Sequence, residues 1–229
     1  MDGFVASFQN NFIDDSRYLY LVQGLGMTLL ITFFAAILGI LLGFLVAIIR
    51  STYEKTGKMK FANSICVLYL TVIRGTPAMV QLLIMYYVIF ASANIGKPLV
   101  AILSFGINSG AYVAEIVRSG IMSIDSGQLE AGRSLGFSYA QTMWYVIMPQ
   151  AFKNVLPALA NEFIVLLKET SICGYIGLMD LTRGGDIIRS RTYEAFMPLI
   201  AVALIYLVLV VFLSSLVRKL ERRLRASER

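Results

Sequence analysis

Asn161 and Glu162 stand side by side in a stretch that is otherwise largely apolar, from about Ala151 to Cys173. An ionised side chain at the centre of a bilayer-crossing helix costs about 3 kcal/mol on insertion scales, so a carboxylate there needs a partner. Arg74 supplies a charge of the opposite sign. It opens the segment RGTP inside a second apolar region that begins at Phe61, so it lies at a depth similar to that of Glu162. Pro77 removes a backbone donor and Gly75 loosens the helix, which leaves polar backbone near Thr76. One charge of each sign at one depth suits a zwitterion: an ammonium would face Glu162, a carboxylate would face Arg74 or the backbone near Thr76, and Asn161 could bond either. The same residues also serve a structural reading, in which Glu162 and Arg74 pair with each other or bond the freed backbone.

Other polar residues form a lower rank of candidate ligands. Glu115 and Arg118 are three residues apart near one end of a third apolar run, the spacing of an ion pair on a helix face. Tyr112 and Gln81 either line a cavity or pack. Lys168, seven residues from Asn161 and hence on the same face, can snorkel to an interface. Gly39 with Gly43, and Gly106 with Gly110, have the spacing of close helix packing rather than of a ligand site. The sequence has no histidine, and Cys66 and Cys173 both lie in apolar surroundings, so no metal cluster, redox motif or disulfide framework is expected. No paired aspartates or serine-lysine constellation argues for an intramembrane enzyme, and no cofactor or nucleic-acid partner is called for. A small helical channel is the remaining alternative to a transporter.

The elements that must hold these residues are membrane helices. Hydrophobic residues make up 58% of the 229 and charged residues 15%, shares that place the chain in a bilayer. Taking about 20 apolar residues per crossing, the sequence predicts five spans: Tyr18 to Ile49, Phe61 to about Ala93, Pro98 to about Ile121, Ala151 to Cys173 and Ala195 to Val217. The second exceeds one ordinary helix and is broken at Arg74 to Pro77, giving either a kinked crossing or two half-segments. The N-terminal segment lacks the basic region and cleavage site of a signal peptide, so the first span is expected to stay. The connector Arg50 to Lys60 holds four basic residues and one acidic, and RKLERRLRASER holds six and two, which puts both in the cytoplasm. The N-terminal seventeen residues, with three aspartates and one arginine, and the charge-balanced loop Gly174 to Glu194 then lie outside. The expected fold is an all-α integral membrane protein, one domain over 1–229, with its N-terminus outside and its C-terminus in the cytoplasm.

Between the third and fourth spans, residues 123–149 carry the signals of two short soluble helices. Ser123, Asp125 and Ser126 are candidate N-caps of a helix running through Glu130 to Leu135, and Gly136 is a natural stop. Ser138 and Gln141 form a capping box for a second helix, which Pro149 should end or kink. Ala131 and Leu135 lie one turn apart with Glu130 beside them, an apolar knob with a carboxylate rim that can dock on another protein or lie on the headgroups.

The spacing Glu130, Ala131, Gly136, Val146, Met148, Pro149 resembles the EAA loop of bacterial ATP-binding-cassette importer permeases, with Gly132 where a second alanine is usual, Val146 for isoleucine and Met148 for leucine. Further stretches, IRGTPAMVQL, SGAYVAEIVRSGI, NEFIVLLKETSI and the final RKLERRL, resemble permeases of the polar-amino-acid uptake subfamily that serves histidine, glutamine and arginine. The resemblance runs over nearly the whole chain. It implies a type I importer bundle in the bacterial plasma membrane, two copies of a partner ATPase, an extracytoplasmic binding protein, and a second permease copy or a related chain. It also implies that Glu130, Ala131, Leu135 and Gly136 form the ATPase-coupling contacts. The sequence has no GxxxxGK[ST], so ATP must be bound by another subunit. A deep carboxylate tilts the expected cargo toward cationic or amide-bearing amino acids.

Overall fold

In the computed structural model, which describes residues 2–226, the charge-free run after Tyr18 becomes a helix of 39 residues, Tyr18–Thr56. All regular structure of the described residues is helical, with ten α-helices: α1 Asp2–Phe8, α2 Tyr18–Thr56, α3 Lys60–Arg74, α4 Ala78–Ile84, α5 Lys97–Met122, α6 Ser126–Ser134, α7 Tyr139–Thr142, α8 Met148–Glu169, α9 Leu181–Thr192 and α10 Phe196–Ala226. Met1 and the tail residues Ser227, Glu228 and Arg229 lie outside the described part. Three helices are individually long and apolar enough to cross a membrane, within Tyr18–Glu54, Lys97–Met122 and Phe196–Leu224. The broken pair Lys60–Arg74 and Ala78–Ile89 adds a fourth if it acts as one span. The second apolar region therefore resolves as two helices: α3 ends at Arg74, Pro77 is extended, and the chain resumes helix at Ala78.

The stretch expected as the fourth span forms α8, which is not among the helices apolar enough to cross by composition. Its 22 residues extend about 33 Å at 1.5 Å per residue, enough for the hydrocarbon core. Two boundaries differ from expectation. The helix stops at Glu169, and Thr170–Ile176 is a tighter 3-10 turn that ends where Gly177 takes a left-handed conformation. Pro149 does not end the preceding segment but is the second residue of α8. A wide π-turn, Met143–Ile147, comes immediately before it. That turn adds a residue to the ring of the helix where proline would otherwise clash with the preceding turn, so the chain continues through it.

The chain contributes residues 1–37, 77–106 and 163–214 to one compact unit, and 38–76, 107–162 and 215–229 to another. In the first, Ile31 and Ala35 of α2 pack with Leu82, Phe105, Leu166 and the buried, free Cys173. The loop expected between the last two spans is itself structured around α9. Gly24 lies against the Asp180 carbonyl, where a Cβ would come within 2.5 Å, and Gly184 lies as close to the Tyr20 carbonyl. Two backbones thus touch directly. Thr28 accepts from the Leu181 amide at 3.1 Å. The N-terminal turns are tied to the same loop by Asn11, which donates to Glu194 at 2.6 Å and accepts from Thr192 at 2.9 Å.

In the second unit, α2 meets α5 through glycines. A Cβ on Gly43 would lie 2.4 Å from Val113, and one on Gly39 would lie 3.0 Å from Ser109. Gly110 in turn approaches Leu42 and the Tyr69 hydroxyl. These small residues serve packing inside the subunit. Ala47, Val113, Val117, Ile121, Ile147, Ala151 and Val155 form the main core, with Leu129 of α6 packed against it.

Asp180 generates a test of the first unit. It is fully buried, and its Oδ1 caps α9 by accepting from the Arg183 amide at 3.1 Å. Burial pushes its carboxyl from 3.8 up to about 6. The folded protein therefore holds the proton up to about pH 6, whereas the unfolded chain releases it near 3.8. The contribution of this group to stability is full below the lower value and is lost as pH rises through the upper one. Asn caps helices as well as Asp does. The thermal midpoint of Asp180→Asn in detergent should gain on that of the wild type across this interval and stay above it at pH 7; two midpoints that run parallel at every pH would contradict this.

Candidate functional site

Helical periodicity aligns one stripe of α5 and one of α8. Tyr112, Ile116 and Ser119 repeat at four and three residues along α5, with Ser123 in the turn just after it, and Asn154, Ala158 and Glu162 repeat at four along α8. Together with Arg74 and Glu115 they line a cavity of about 560 Å³ within the second unit. Gly120 and Val155 also line it, and a Cβ on Gly120 would lie 2.1 Å from Val155 Cγ2, so the valine of α8 packs directly onto the backbone of α5 there. Glycine is required at this position.

Arg74 does not pair with Glu162. Its guanidinium lies 3.6 Å from Glu115 and 5.9 Å from the centre of the Tyr112 ring. The reason is position along the helices: Arg74 ends α3 opposite the turn of α5 that carries Tyr112 and Glu115. Glu162 instead accepts from the Ser109 hydroxyl at 3.0 Å. Glu115 is shared, because Arg118 also donates to it at 2.5 Å. Arg118 lies 4.0 Å from Glu54, which lies 3.5 Å from Arg50. Five alternating charges, Arg74, Glu115, Arg118, Glu54 and Arg50, form a ladder. On the far wall Ser123 donates to the Gly120 carbonyl at 2.7 Å and accepts from Asn154 at 3.0 Å.

Four of the candidate ligands, Arg74, Glu162, Glu115 and Tyr112, thus line one cavity. The others do not join them. Asn161 is exposed on another face of α8. Thr76 is exposed and donates back to the Val72 carbonyl at 2.8 Å. Gln81 and Lys168 belong to the other compact unit. Sequence reasoning missed Ser119, Ser123 and Asn154 because each is an ordinary polar residue near a helix end. It missed Glu54 because a carboxylate in a basic connector reads as solvated surface.

The 123–149 segment folds as a hairpin of two short helices. Asp125 is the cap of α6, accepting from Gly127 at 2.7 Å. Ser123 is used in the cavity wall instead. At the other end Gly136 adopts φ +87°, its amide donates to the Arg133 carbonyl, and the Phe137 amide donates to the Gly132 carbonyl. That pair of bonds is a Schellman stop, which glycine adopts without steric cost. Ser138 and Gln141 form the reciprocal capping box. Glu130, Ala131, Leu135 and Gly136 are all exposed, Leu135 at 78%. An apolar side chain so exposed at a capped helix end is an available contact.

A membrane-embedded helical subunit with a charged cavity and an exposed, rigidly capped helix has the equipment of a transport component. Residues 39–226 match the family of binding-protein-dependent transport system inner membrane components, and the chain belongs to that family. It is similar to a putative glutamine transport system permease protein of Rickettsia typhi, 36% identical over 210 residues that cover 91% of this chain and 94% of that one. It is also similar to an arginine transport system permease protein of Bacillus subtilis, 38% identical over 212 residues, 91% and 94%. Among solved structures, an amino acid ABC transporter crystallised with histidines superposes with a TM-score of 0.85 at 45% identity, covering 93% of this chain and 98% of that one. The chain is thus a multi-pass permease of the bacterial inner membrane with a type I importer fold. It is not itself catalytic, since hydrolysis of ATP belongs to a partner ATPase.

Gly132 tests the packing of this hairpin. A Cβ there would lie 2.4 Å from Thr142 Cγ2 and 2.8 Å from its hydroxyl, so the alanine usual at this position of the motif is excluded by this chain's own threonine. Gly132→Ala should destabilise the hairpin by about 1–3 kcal/mol, the scale of overpacking, and lower the thermal midpoint. Adding Thr142→Ala should recover most of that loss; equal midpoints for the single and double variants would show that the contact is unimportant.

Proposed function

We propose that this chain is the permease subunit of an ATP-driven importer for a polar amino acid, cationic or amide-bearing, delivered by an extracytoplasmic binding protein. The observation that carries the reading is the cavity lined by Arg74 and Glu162, a cation and a carboxylate with the charges that an α-carboxylate and an amino or side-chain nitrogen require. The glutamine and arginine named for its relatives fit this chemistry, since both present N–H donors at the end of the side chain. Arg74 holds the α-carboxylate, stacked against Tyr112, and Glu162 accepts from the positive or amide end. Glu115 orients Arg74. Asn161, Thr76, Gln81 and Lys168 are not assigned contacts in the cavity.

The proposed topology has five crossings, with α3 and α4 as one broken span and α8 as the fourth. The N-terminus is outside and the basic tail inside. All of residues 1–229 act as one permease domain, paired with a second copy or a related chain and with two ATPase subunits. The helix α6 docks on the ATPase through Glu130, Ala131 and Leu135, with Gly136 returning the chain toward the bilayer. A channel would not need this capped, exposed helix pair.

Two experiments test the reading. Glu162→Gln keeps shape and hydrogen bonding, and because Arg74 retains Glu115 the variant should assemble with unchanged thermal stability. Uptake of a cationic amino acid by the reconstituted complex should fall roughly tenfold, equivalent to about 1.4 kcal/mol, and that of an amide amino acid less. Unchanged uptake and selectivity would remove Glu162 from the site. For the coupling helix, Leu135→Cys in a background lacking Cys66 and Cys173 should react with an impermeant maleimide in inside-out vesicles and not in intact cells. Bound ATPase should protect it, and the modified permease should lose substrate-stimulated hydrolysis. Labelling from outside the cell would overturn the topology.

A further inference from the structure

A second cavity, of about 240 Å³, lies within the same unit as the first and is bordered by Glu54, Asp125, Ser126 and Leu129, the last three at the start of the coupling helix α6. Glu54 is also the fourth member of the charge ladder whose first member, Arg74, lines the larger cavity. The ladder is uneven. The Glu115–Arg118 contact is 2.5 Å, while Arg74–Glu115 is 3.6 Å and Arg118–Glu54 is 4.0 Å. Each interior member is shared between two neighbours of opposite charge, so strengthening one contact weakens the next.

We infer that Glu54 is a positioning residue for transport: through Arg118 and Glu115 it reports an anion bound at Arg74 to the N-terminus of the coupling helix. The inference rests on the importer reading above. A substrate carboxylate that takes Arg74 competes with Glu115 for it. Glu115 then belongs to Arg118 alone, and Arg118, already at the longest distance in the ladder, releases Glu54. Left with Arg50 alone, at 3.5 Å, Glu54 carries less compensated negative charge beside Asp125 and Ser126, where it adds to the Asp125 cap at the positive end of the α6 dipole. The coupling helix is thereby biased by occupancy of a cavity it does not line. No covalent bond is made or broken, and the signal is a redistribution of ion pairs among half-exposed side chains.

The test uses the complete complex of permease, ATPase and binding protein in lipid nanodiscs, measuring ATP hydrolysis with arginine-loaded and with unloaded binding protein. Wild type, Glu54→Gln, Glu54→Asp, Arg74→Gln and the Arg74→Gln/Glu54→Gln double variant are compared. Glu54→Gln should assemble normally and keep its hydrolysis rate with unloaded binding protein. Its stimulation ratio should fall about fivefold, the lower end of measured couplings between sites. Glu54→Asp should recover part of it. The double variant should be no worse than Arg74→Gln, because both substitutions cut one path. A wild-type complex that shows no stimulation by loaded binding protein would defeat the importer reading itself. With stimulation present, three results overturn the relay: a wild-type ratio in Glu54→Gln, multiplicative losses in the double variant, or a fall in the unloaded rate that Glu54→Asp does not repair.

Discussion

Charges inside an apolar helix bundle must find counter-charges, and in the unit that holds the candidate site this one constraint determines the arrangement. Glu115 sits on a helix whose neighbouring residues Ala111, Val113, Ala114 and Val117 are buried and apolar. It is stabilised there by Arg118 one turn away at 2.5 Å and by Arg74 from α3. For Arg74 to reach it, α3 must end beside that turn of α5. The close contact of α5 with α2 through Gly39, Gly43 and Gly110, and with α8 through Gly120, then fixes where the remaining cavity walls lie. The glycines set distances, and the ion pairs set which faces meet.

The hairpin after α5 obeys a different rule. Its stability comes from terminal hydrogen bonds, since α6 and α7 are too short to persist alone. Asp125 caps one end of α6, the Schellman bonds at Gly136 close the other, and the Ser138–Gln141 box starts α7. With the backbone satisfied locally, apolar side chains need not all face inward. Leu129 is spent on the core, while Leu135 remains outside. Gly132 against Thr142 locks the two short helices together. A helix so fixed resists fraying at both ends.

Local signals were the legible part of this chain. Caps, the left-handed Gly136, the long apolar helices α2, α5 and α10 and the break at RGTP depend on neighbours in sequence, and each was readable there. The Asp180 cap with the loop helix it starts was equally local, yet the balance of charges in Gly174 to Glu194 masked it as loop. What could not be read was pairing across helices. Arg74 and Glu162 were matched because their depths are similar, whereas the actual partner of Arg74 is set by which faces of α3 and α5 meet, a matter of rotation about each axis that depth does not give. Glu54 was invisible for the same reason: nothing in RSTYEKTGKMK indicates that one carboxylate turns toward Arg118 of another helix. Asn161, adjacent to Glu162, was included by proximity in sequence, but a step of one residue is a turn of about 100° and puts it on another face.

The ladder leaves Glu162 in a position unlike that of the other carboxylates. Glu115 and Glu54 each have two arginines, whereas Glu162 has a serine hydroxyl as its bonded partner among the contacts described. A carboxylate has about four acceptor sites, and one hydroxyl occupies one of them. The remaining capacity faces a cavity that Arg74 also lines. Arg74 is itself held by its carboxylate at a distance longer than a hydrogen bond. The two residues that carry the proposed ligand contacts thus both keep bonding capacity toward the cavity. A site built from such members binds by completing pairs rather than by breaking strong ones. In the proposed reading, a cationic side chain gains a charge-assisted bond at Glu162 that an amide side chain makes only as a neutral donor. In that reading the site would admit both kinds of cargo and rank them by charge.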